Sequence, residues 1–460
     1  MRPAGWAPAP PLHHCQSRIC QLMDQESIPS TKFSRIAALT GAGAKVGVNY
    51  LKHYGKRALG SKVDSESLHE RNASAVYKTF SELKGGPLKL AQMLSIDKNL
   101  LPPAYAKEFA QAQYSAPPLS YPLVVRTFRR EFGKSPTELF DTFTKNAVHG
   151  ASIGQVHRAT LGDRAFAVKV QYPGVAESLK SDLNFIKPVA LQILGLRESQ
   201  IAPYIAEVEK RLLEETDYTM ELERSIDLSR RSGHLPNVRF PNYYPDFSSP
   251  RILTLDWIDG TPLDQFADSP TTSQAERDRI GQALWDFYDY QIHTLHVFHA
   301  DPHPGNFLIR AGQLFVIDFG CTKQIDAAYY RKHFRFLDNE VLSDRALLEE
   351  CLCDIGIFHD SDSVELRRNV LEICAVSIEL LGRPFRHGSF DFGDETFIQG
   401  IYQLGEDNLH SRDLRTMKGA SGDVDGIYTN RAYFGLYSLL ARLRCRVETR
   451  LPEWLQAVSA

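Results

Sequence analysis

The chain has 460 residues, a formal net charge of −3 and 43% hydrophobic residues, enough to bury the core of two lobes plus accessory helices. The mild acidity argues against nucleic acid as the main partner. Seven scattered cysteines suit a reduced compartment rather than a disulfide framework, and no run of about 18 apolar residues offers a membrane-spanning helix.

Residues 1–26 read as a disordered tail or a spurious start, because Pro3, Pro8, Pro10 and Pro11 would break the amphipathic helix of a targeting peptide. Residues 27–63 contain no acid, while Lys32, Arg35, Lys45, Lys52, Lys56, Arg57 and Lys62 are basic and Phe33, Ile36, Leu39, Tyr50 and Tyr54 supply an apolar face. Such a segment suits an anionic membrane surface or a helix docked on its own domain. Residues 64–145 are read as a helical extension. Its pattern from Ser65 to Leu94 restarts at Gly85-Gly86-Pro87, where proline fits a first helical turn. Lys89 and Gln92 then share a helix face, and Tyr121–Phe132 is a further short helix.

Residues 146–260 change period. His149 to Ala159 is a turn and a strand, and Ala165 to Val170 is a second strand after Gly162-Asp163. The pair reads as a hairpin over a nucleotide, with Lys169 inside an apolar strand, where its charge needs a partner or a phosphate. The alternative is an edge-strand lysine facing water. A helix from about Tyr204 to Arg231 carries Glu214, Glu215, Asp217, Glu221 and Glu223. One of these acids could pair with Lys169, and spacing does not select which. Arg251 to Gly260 is a strand running into a turn, the place where a kinase hinge offers backbone groups to adenine.

In residues 261–460 a long helix, Ala275–His296, leads to His299-Ala300-Asp301-Pro302-His303-Pro304-Gly305-Asn306. An apolar strand then ends in Asp318-Phe319-Gly320. This is the skeleton of a phosphoryl-transfer site: Asp301 to orient or deprotonate an attacking hydroxyl, Asn306 and Asp318 to hold magnesium. The remainder reads as helical, with loops near Pro384–Glu395 and Lys418–Asp425. A second Asp391-Phe392-Gly393 falls in the first loop and reads as coincidence, since no apolar strand precedes it. Cys351 and Cys353 lack a second pair at zinc spacing and read as helix packing.

The order of hairpin, strand lysine, acid-rich helix, hinge and paired metal ligands is that of a kinase fold. The finer residues resemble the UbiB/AarF family of atypical kinase-like proteins, whose eukaryotic members support coenzyme Q biosynthesis. Ala151-Ser152-Ile153-Gly154-Gln155-Val156-His157 resembles the family's alanine-rich nucleotide loop, Val168-Lys169-Val170-Gln171-Tyr172-Pro173-Gly174 its strand lysine and turn, and Glu215-Thr216-Asp217-Tyr218-Thr219-Met220-Glu221 its Glu-x-Asp element and helix glutamate. Lys89-Leu90-Ala91-Gln92 is similar to the family's Lys-x-Gly-Gln helix, with Ala91 where glycine is usual.

The resemblance implies an α+β, two-lobed protein-kinase-like fold with an N-terminal helical extension and a mostly helical C-lobe. It implies ATP and Mg2+ as cofactors. Ala151, Ser152, Gly154, Val156, Lys169, Asp256 and Ile258 would bind nucleotide, and Asp301, Lys169 and Glu221 would be catalytic. Asn306 and Asp318 would bind metal, and Lys89 and Gln92 would gate the site against Glu215 and Asp217. Gly150 stands where the family has alanine. No Ala-Pro-Glu follows Asp318-Phe319-Gly320 to dock a peptide, which favours ATPase or small-molecule and lipid kinase activity over protein phosphorylation. The rival readings are a protein kinase and a nucleotide-sensing scaffold without turnover. The implied partners are an isoprenoid or quinone-precursor lipid, an anionic membrane surface and ubiquinone-biosynthesis enzymes. The implied location is cytoplasmic and peripheral to a membrane, or the mitochondrial inner membrane in a eukaryote.

Overall fold

The computed structural model describes residues 119–151, 153–177, 209–386, 388–411, 413 and 424–456, with short pieces between 72 and 80 and between 179 and 206. Lys89, Gln92, Ser152 and the basic segment 27–63 lie outside the described residues.

Helix α1 (Tyr121–Phe132) has the bounds expected from sequence and ends at Gly133 in the left-handed region, φ 70°. Strands β1 (Thr142–Phe143), β2 (His149–Gly150), β3 (Gly154–Leu161) and β4 (Arg164–Gln171) follow, and β6 (Ile252–Asp256) completes a five-stranded antiparallel sheet in the order β1-β3-β4-β6, with β2 also on β3. Period-two alternation divides β4 between two cores. Phe166, Val168 and Val170 pack with Phe128, Phe140 and Phe143 beneath α1. On the opposite face a cluster of Leu253, Leu255, Tyr172, Tyr218 and Leu222 surrounds Ala167 and its neighbour Lys169.

The acid-rich helix is broken where the sequence pattern suggested continuity. Helix α2 (Tyr218–Ser232) starts afresh at Asp217, whose carboxylate accepts the Thr219 N–H at 2.9 Å as an N-cap. The Gln171 amide donates to the Thr216 carbonyl at 2.9 Å and the Tyr218 N–H donates to Pro250 at 3.0 Å, so both flanking backbone groups are held outside the helix. Periodicity alone could not register this break, because the bonds that fix it come from residues distant in sequence.

The second lobe is organised by helix α4 (Gln274–Tyr290), capped by a reciprocal Ser273/Glu276 box. Its buried Ile280, Leu284, Phe287 and Tyr288 share one core with Leu436, Tyr437, Leu440 and Leu443 of helix α9 (Val424–Leu443). After α4 the chain widens into a π turn, Gln291–Leu295, and reverses at His296 with φ 52°. It enters β8 (Val297–His299), which pairs with β11 (Thr322–Gln324), while β9 (Phe307–Arg310) and β10 (Gln313–Val316) form a hairpin within a four-stranded sheet, β5-β10-β9-β7. Strands β5 (Val238–Arg239) and β7 (Thr261–Pro262) close its edges. The loop expected near Pro384–Glu395 contains a short strand, β12 (Ser389–Asp391), paired with β13 (Arg446–Glu448). Asp391-Phe392-Gly393 therefore does follow a strand. Cys351 is buried, Cys353 is exposed and both are free; among the described residues no cluster of His, Cys, Asp or Glu is arranged to hold a metal by itself.

Candidate active site

The Lys169 ammonium lies 2.8 and 3.0 Å from the two carboxylate oxygens of Glu221 and 3.1 Å from Oδ2 of Asp318. It also sits 5.0 Å from the centre of the Tyr218 ring. Among the acids of the 204–231 segment, Glu221 is the one that reaches Lys169, because it occupies the first turn of α2 against β4. Burial works to strip the Lys169 proton, but the carboxylates of Asp318 and Glu221 outweigh it and hold the ammonium well above its ordinary range. The two acids divide the burden. Glu221, 5% exposed, is raised by burial with Lys169 pulling against it; Asp318, one-third exposed, also meets a burial penalty but is lowered by Lys169 and the Gly320 N–H.

Asp318 is aimed at Lys169 by its own turn. The Gly320 N–H donates to Asp318 Oδ1 at 2.8 Å, and Phe319 is fully buried against Phe240, Phe287 and His299. His299 ties this turn to the loop carrying Asp301. Its Nε2–H donates to the Asp318 carbonyl at 2.8 Å, and its Nδ1 accepts the Asp301 N–H at 3.2 Å. Those roles require the neutral ring, and burial lowers its pKa accordingly. The Asn306 amide donates to the Asp301 carbonyl at 2.9 Å, which leaves its oxygen as the side-chain donor for a cation. One carboxylate and one amide oxygen, with phosphates and water completing the shell, is a donor set that suits magnesium.

The loop expected to meet nucleotide is built differently from a glycine-rich loop. Ala151 and Gly154 close on each other, the Ala151 N–H donating to Gly154 at 2.9 Å. Val156 is the cross-strand partner of Lys169, so both lie on the same face of the sheet. The single retained glycine is explained by packing: a Cβ at Gly154 would lie 2.6 Å from the Val170 carbonyl oxygen and 2.7 Å from the Tyr218 hydroxyl. Asp256 is committed to structure, its carboxylate accepting from the Asn242 N–H, the Asn242 amide and the Tyr244 hydroxyl at 2.6–2.9 Å. Its N–H donates to Asn242 and that of Trp257 to Ala165, so any adenine contact at Asp256 or Ile258 falls to other main-chain groups. His149 stacks on Trp257 at 6.1 Å, joining the loop to the hinge.

Of the two acids expected to face Lys89 and Gln92, Glu215 is buried near Glu221, and Asp217 is occupied as the α2 cap. Residues that sequence reasoning passed over are Tyr218, His299 as a link and above all Arg431. The Arg431 guanidinium donates to Asp301 Oδ1 at 2.7 Å from helix α9, 130 residues away.

The model of the ABC1 atypical kinase-like domain matches residues 111–352. The chain belongs to this family. The UbiB/AarF resemblance read from its motifs therefore holds. The chain is similar to the atypical kinase COQ8B, mitochondrial, of Danio rerio, 27% identical over 397 residues, covering 83% of this chain and 62% of that protein. It is also similar to the atypical kinase COQ8, mitochondrial, of Saccharomyces cerevisiae, 28% identical, covering 82% and 76%. A third relative is the probable serine/threonine-protein kinase abkA of Dictyostelium discoideum, 27% identical, covering 92% and 79%. The chain thus spans about three-fifths to four-fifths of these relatives. The Rv3197–erythromycin complex of Mycobacterium tuberculosis shares the fold, with a TM-score of 0.57, 24% identity, and coverage of 85% of this chain and 96% of that one. The α+β kinase-like architecture of this ABC1 chain stands on both comparisons, and a kinase-like domain carries with it, in general terms, ATP and a divalent metal. Among the described residues no helix is long and apolar enough to cross a membrane.

Proposed function

We propose that this ABC1 protein binds Mg–ATP and uses it for ATP hydrolysis or for phosphoryl transfer to a small molecule or lipid, in support of ubiquinone or related isoprenoid-lipid metabolism at a membrane. The observation that carries the reading is Lys169 bracketed by Glu221 and Asp318 at 2.8–3.1 Å, the arrangement that a phosphoryl-transfer site needs for orienting phosphates. Lys169 would bind the phosphates, with Glu221 holding it upright. Asn306 and Asp318 would hold the magnesium, which supplies neutralising charge to the phosphate oxygens. Asp301 would orient the attacking hydroxyl or water. The names of the COQ8 relatives support the link to coenzyme Q and a mitochondrial location, and the basic segment 27–63 is the candidate for membrane contact.

The test is ATP turnover by the full chain, with and without magnesium, anionic liposomes and quinone precursors. Turnover that needs magnesium, rises with lipid or precursor and is lost in Asp318→Asn is the expected result. Stoichiometric transfer of labelled phosphate to a protein would overturn the choice of acceptor. Normal function of an Asp301→Asn variant in cells lacking the protein would replace catalysis with scaffolding.

A further inference from the structure

Helix α9 meets the loop carrying Asp301 at two points one helical turn apart. Arg431, its side chain 10% exposed, donates to Asp301 Oδ1 at 2.7 Å. Four residues on, Gly435 receives the ring of Pro302: a Cβ there would overlap Pro302 Cγ and lie 2.7 Å from its Cβ. Residues i and i+4 lie on one face of a helix, so a single face of α9 holds both Asp301 and the residue after it. The other side of the loop is fixed by His299 and by the Asn306 amide, which bond to the Asp301 main chain. Those bonds reach the Asp301 backbone and not its carboxylate. Arg431 supplies a charged contact on the carboxylate itself.

We infer that Arg431 is a positioning residue for phosphoryl transfer, clamping the Asp301 carboxylate in one rotamer while Gly435 keeps α9 close enough for the clamp to reach. This rests on the phosphoryl-transfer reading above. The consequence is chemical as well as geometric. A carboxylate oxygen already accepting a charged hydrogen bond is a weakened proton acceptor, so the clamp tunes the basicity of Asp301 as well as its direction. Misplacing such a group by about 1 Å costs on the order of 100-fold in rate, and nucleotide affinity, set by Lys169 and the metal ligands, is untouched.

The experiment compares Mg–ATP hydrolysis by the full chain and by Arg431→Met, Arg431→Lys, Asp301→Asn and the Arg431→Met/Asp301→Asn double variant, with circular dichroism and nucleotide affinity measured on each. The expected result is a drop in kcat of about 10- to 100-fold for Arg431→Met with KM for ATP within about threefold. Arg431→Lys should recover part of the rate, and the double variant should be little slower than Asp301→Asn alone. A purely structural arginine would lower kcat only in step with folded protein and would gain nothing from lysine. Should Arg431→Met fail to fold, the neutral Arg431→Gln decides: a wild-type kcat there, beside an inactive Asp301→Asn, overturns the clamp. So does an Arg431→Met defect that multiplies fully with that of Asp301→Asn. Wild-type turnover by Asp301→Asn instead overturns the phosphoryl-transfer reading, and the clamp with it.

Discussion

Gly154 and Gly150 lie four residues apart in the nucleotide loop, and the structure assigns them opposite responses to alanine. At Gly154 the added methyl meets the Val170 carbonyl oxygen at 2.6 Å and the Tyr218 hydroxyl at 2.7 Å. The first is backbone in the centre of the sheet, and the second belongs to the ring under Lys169, so neither can withdraw without moving β4 or α2. Overpacking of this kind costs about 1–3 kcal/mol. At Gly150 a Cβ meets nothing within 4 Å, and alanine restricts only the unfolded chain, a gain of about 0.4–1 kcal/mol. Urea unfolding followed by far-ultraviolet circular dichroism, with calorimetric titration of Mg–ATP, measures both. The expected outcome is a lowered midpoint for Gly154→Ala and an unchanged or raised one for Gly150→Ala. If Gly154→Ala keeps the wild-type midpoint and loses only nucleotide affinity, the glycine serves phosphate approach and the packing argument is refuted.

Glu221→Gln removes one of two charges on Lys169; because Asp318 remains, the loss of stability should fall below the about 3–5 kcal/mol of a fully broken buried pair, while kcat for ATP drops, as urea unfolding and steady-state turnover would reveal. Phe319→Ala empties a site packed by Phe240, Phe287 and His299 and should cost about 3–5 kcal/mol in the same unfolding assay, with loss of magnesium-dependent turnover. Burial pushes His293 down to about 3, both ring nitrogens being occupied by the Tyr330 and Tyr433 hydroxyls at 3.0 and 2.9 Å. Its folded pKa lies below the unfolded value of about 6.5, so its stabilisation is complete above that pH and is lost as the pH falls toward 3, at up to about 1.4 kcal/mol per unit. His293→Gln should flatten the stability profile between pH 6.5 and 5 by that slope, and an unchanged profile would show that the ring is protonated in the fold.

What the sequence made legible follows from how local the constraint is. Lys169, Asp301, Asn306 and Asp318 sit at spacings that phosphoryl transfer imposes within one strand or one loop, and α1 was readable to the residue because its apolar face and Gly133 are local. Glu221 could be narrowed from the acid cluster only by resemblance, since its choice depends on where α2 begins. That start is fixed by Gln171, at the end of β4, and Pro250, in the turn before β6. Arg431 left no sequence signal. An arginine on the amphipathic helix α9 is ordinarily a solvated residue, and the acid it meets is 130 positions earlier.

The two Asp-Phe-Gly tripeptides show why the motif alone was insufficient. In each, the glycine N–H donates to the aspartate Oδ1 at 2.8 Å and the phenylalanine is buried. In each, the aspartate Oδ2 meets a cation, Lys169 at 3.1 Å for Asp318 and Arg446 at 3.0 Å for Asp391. The turn is therefore a general solution to ending a strand over an aromatic core. Arg446 is 67% exposed and Asp391 49% exposed, whereas Lys169 is 11% exposed and shared with Glu221. An exposed pair is worth about 0–1 kcal/mol and holds nothing in place. The buried one sits beside Asn306, whose carbonyl accepts the Ile317 N–H at 3.1 Å and brings the second proposed metal donor next to Asp318. Chemistry enters at position 318 through its neighbours, the buried ammonium and the adjacent amide, and Asp391 has neither an Asn306 nor a Lys169 beside it.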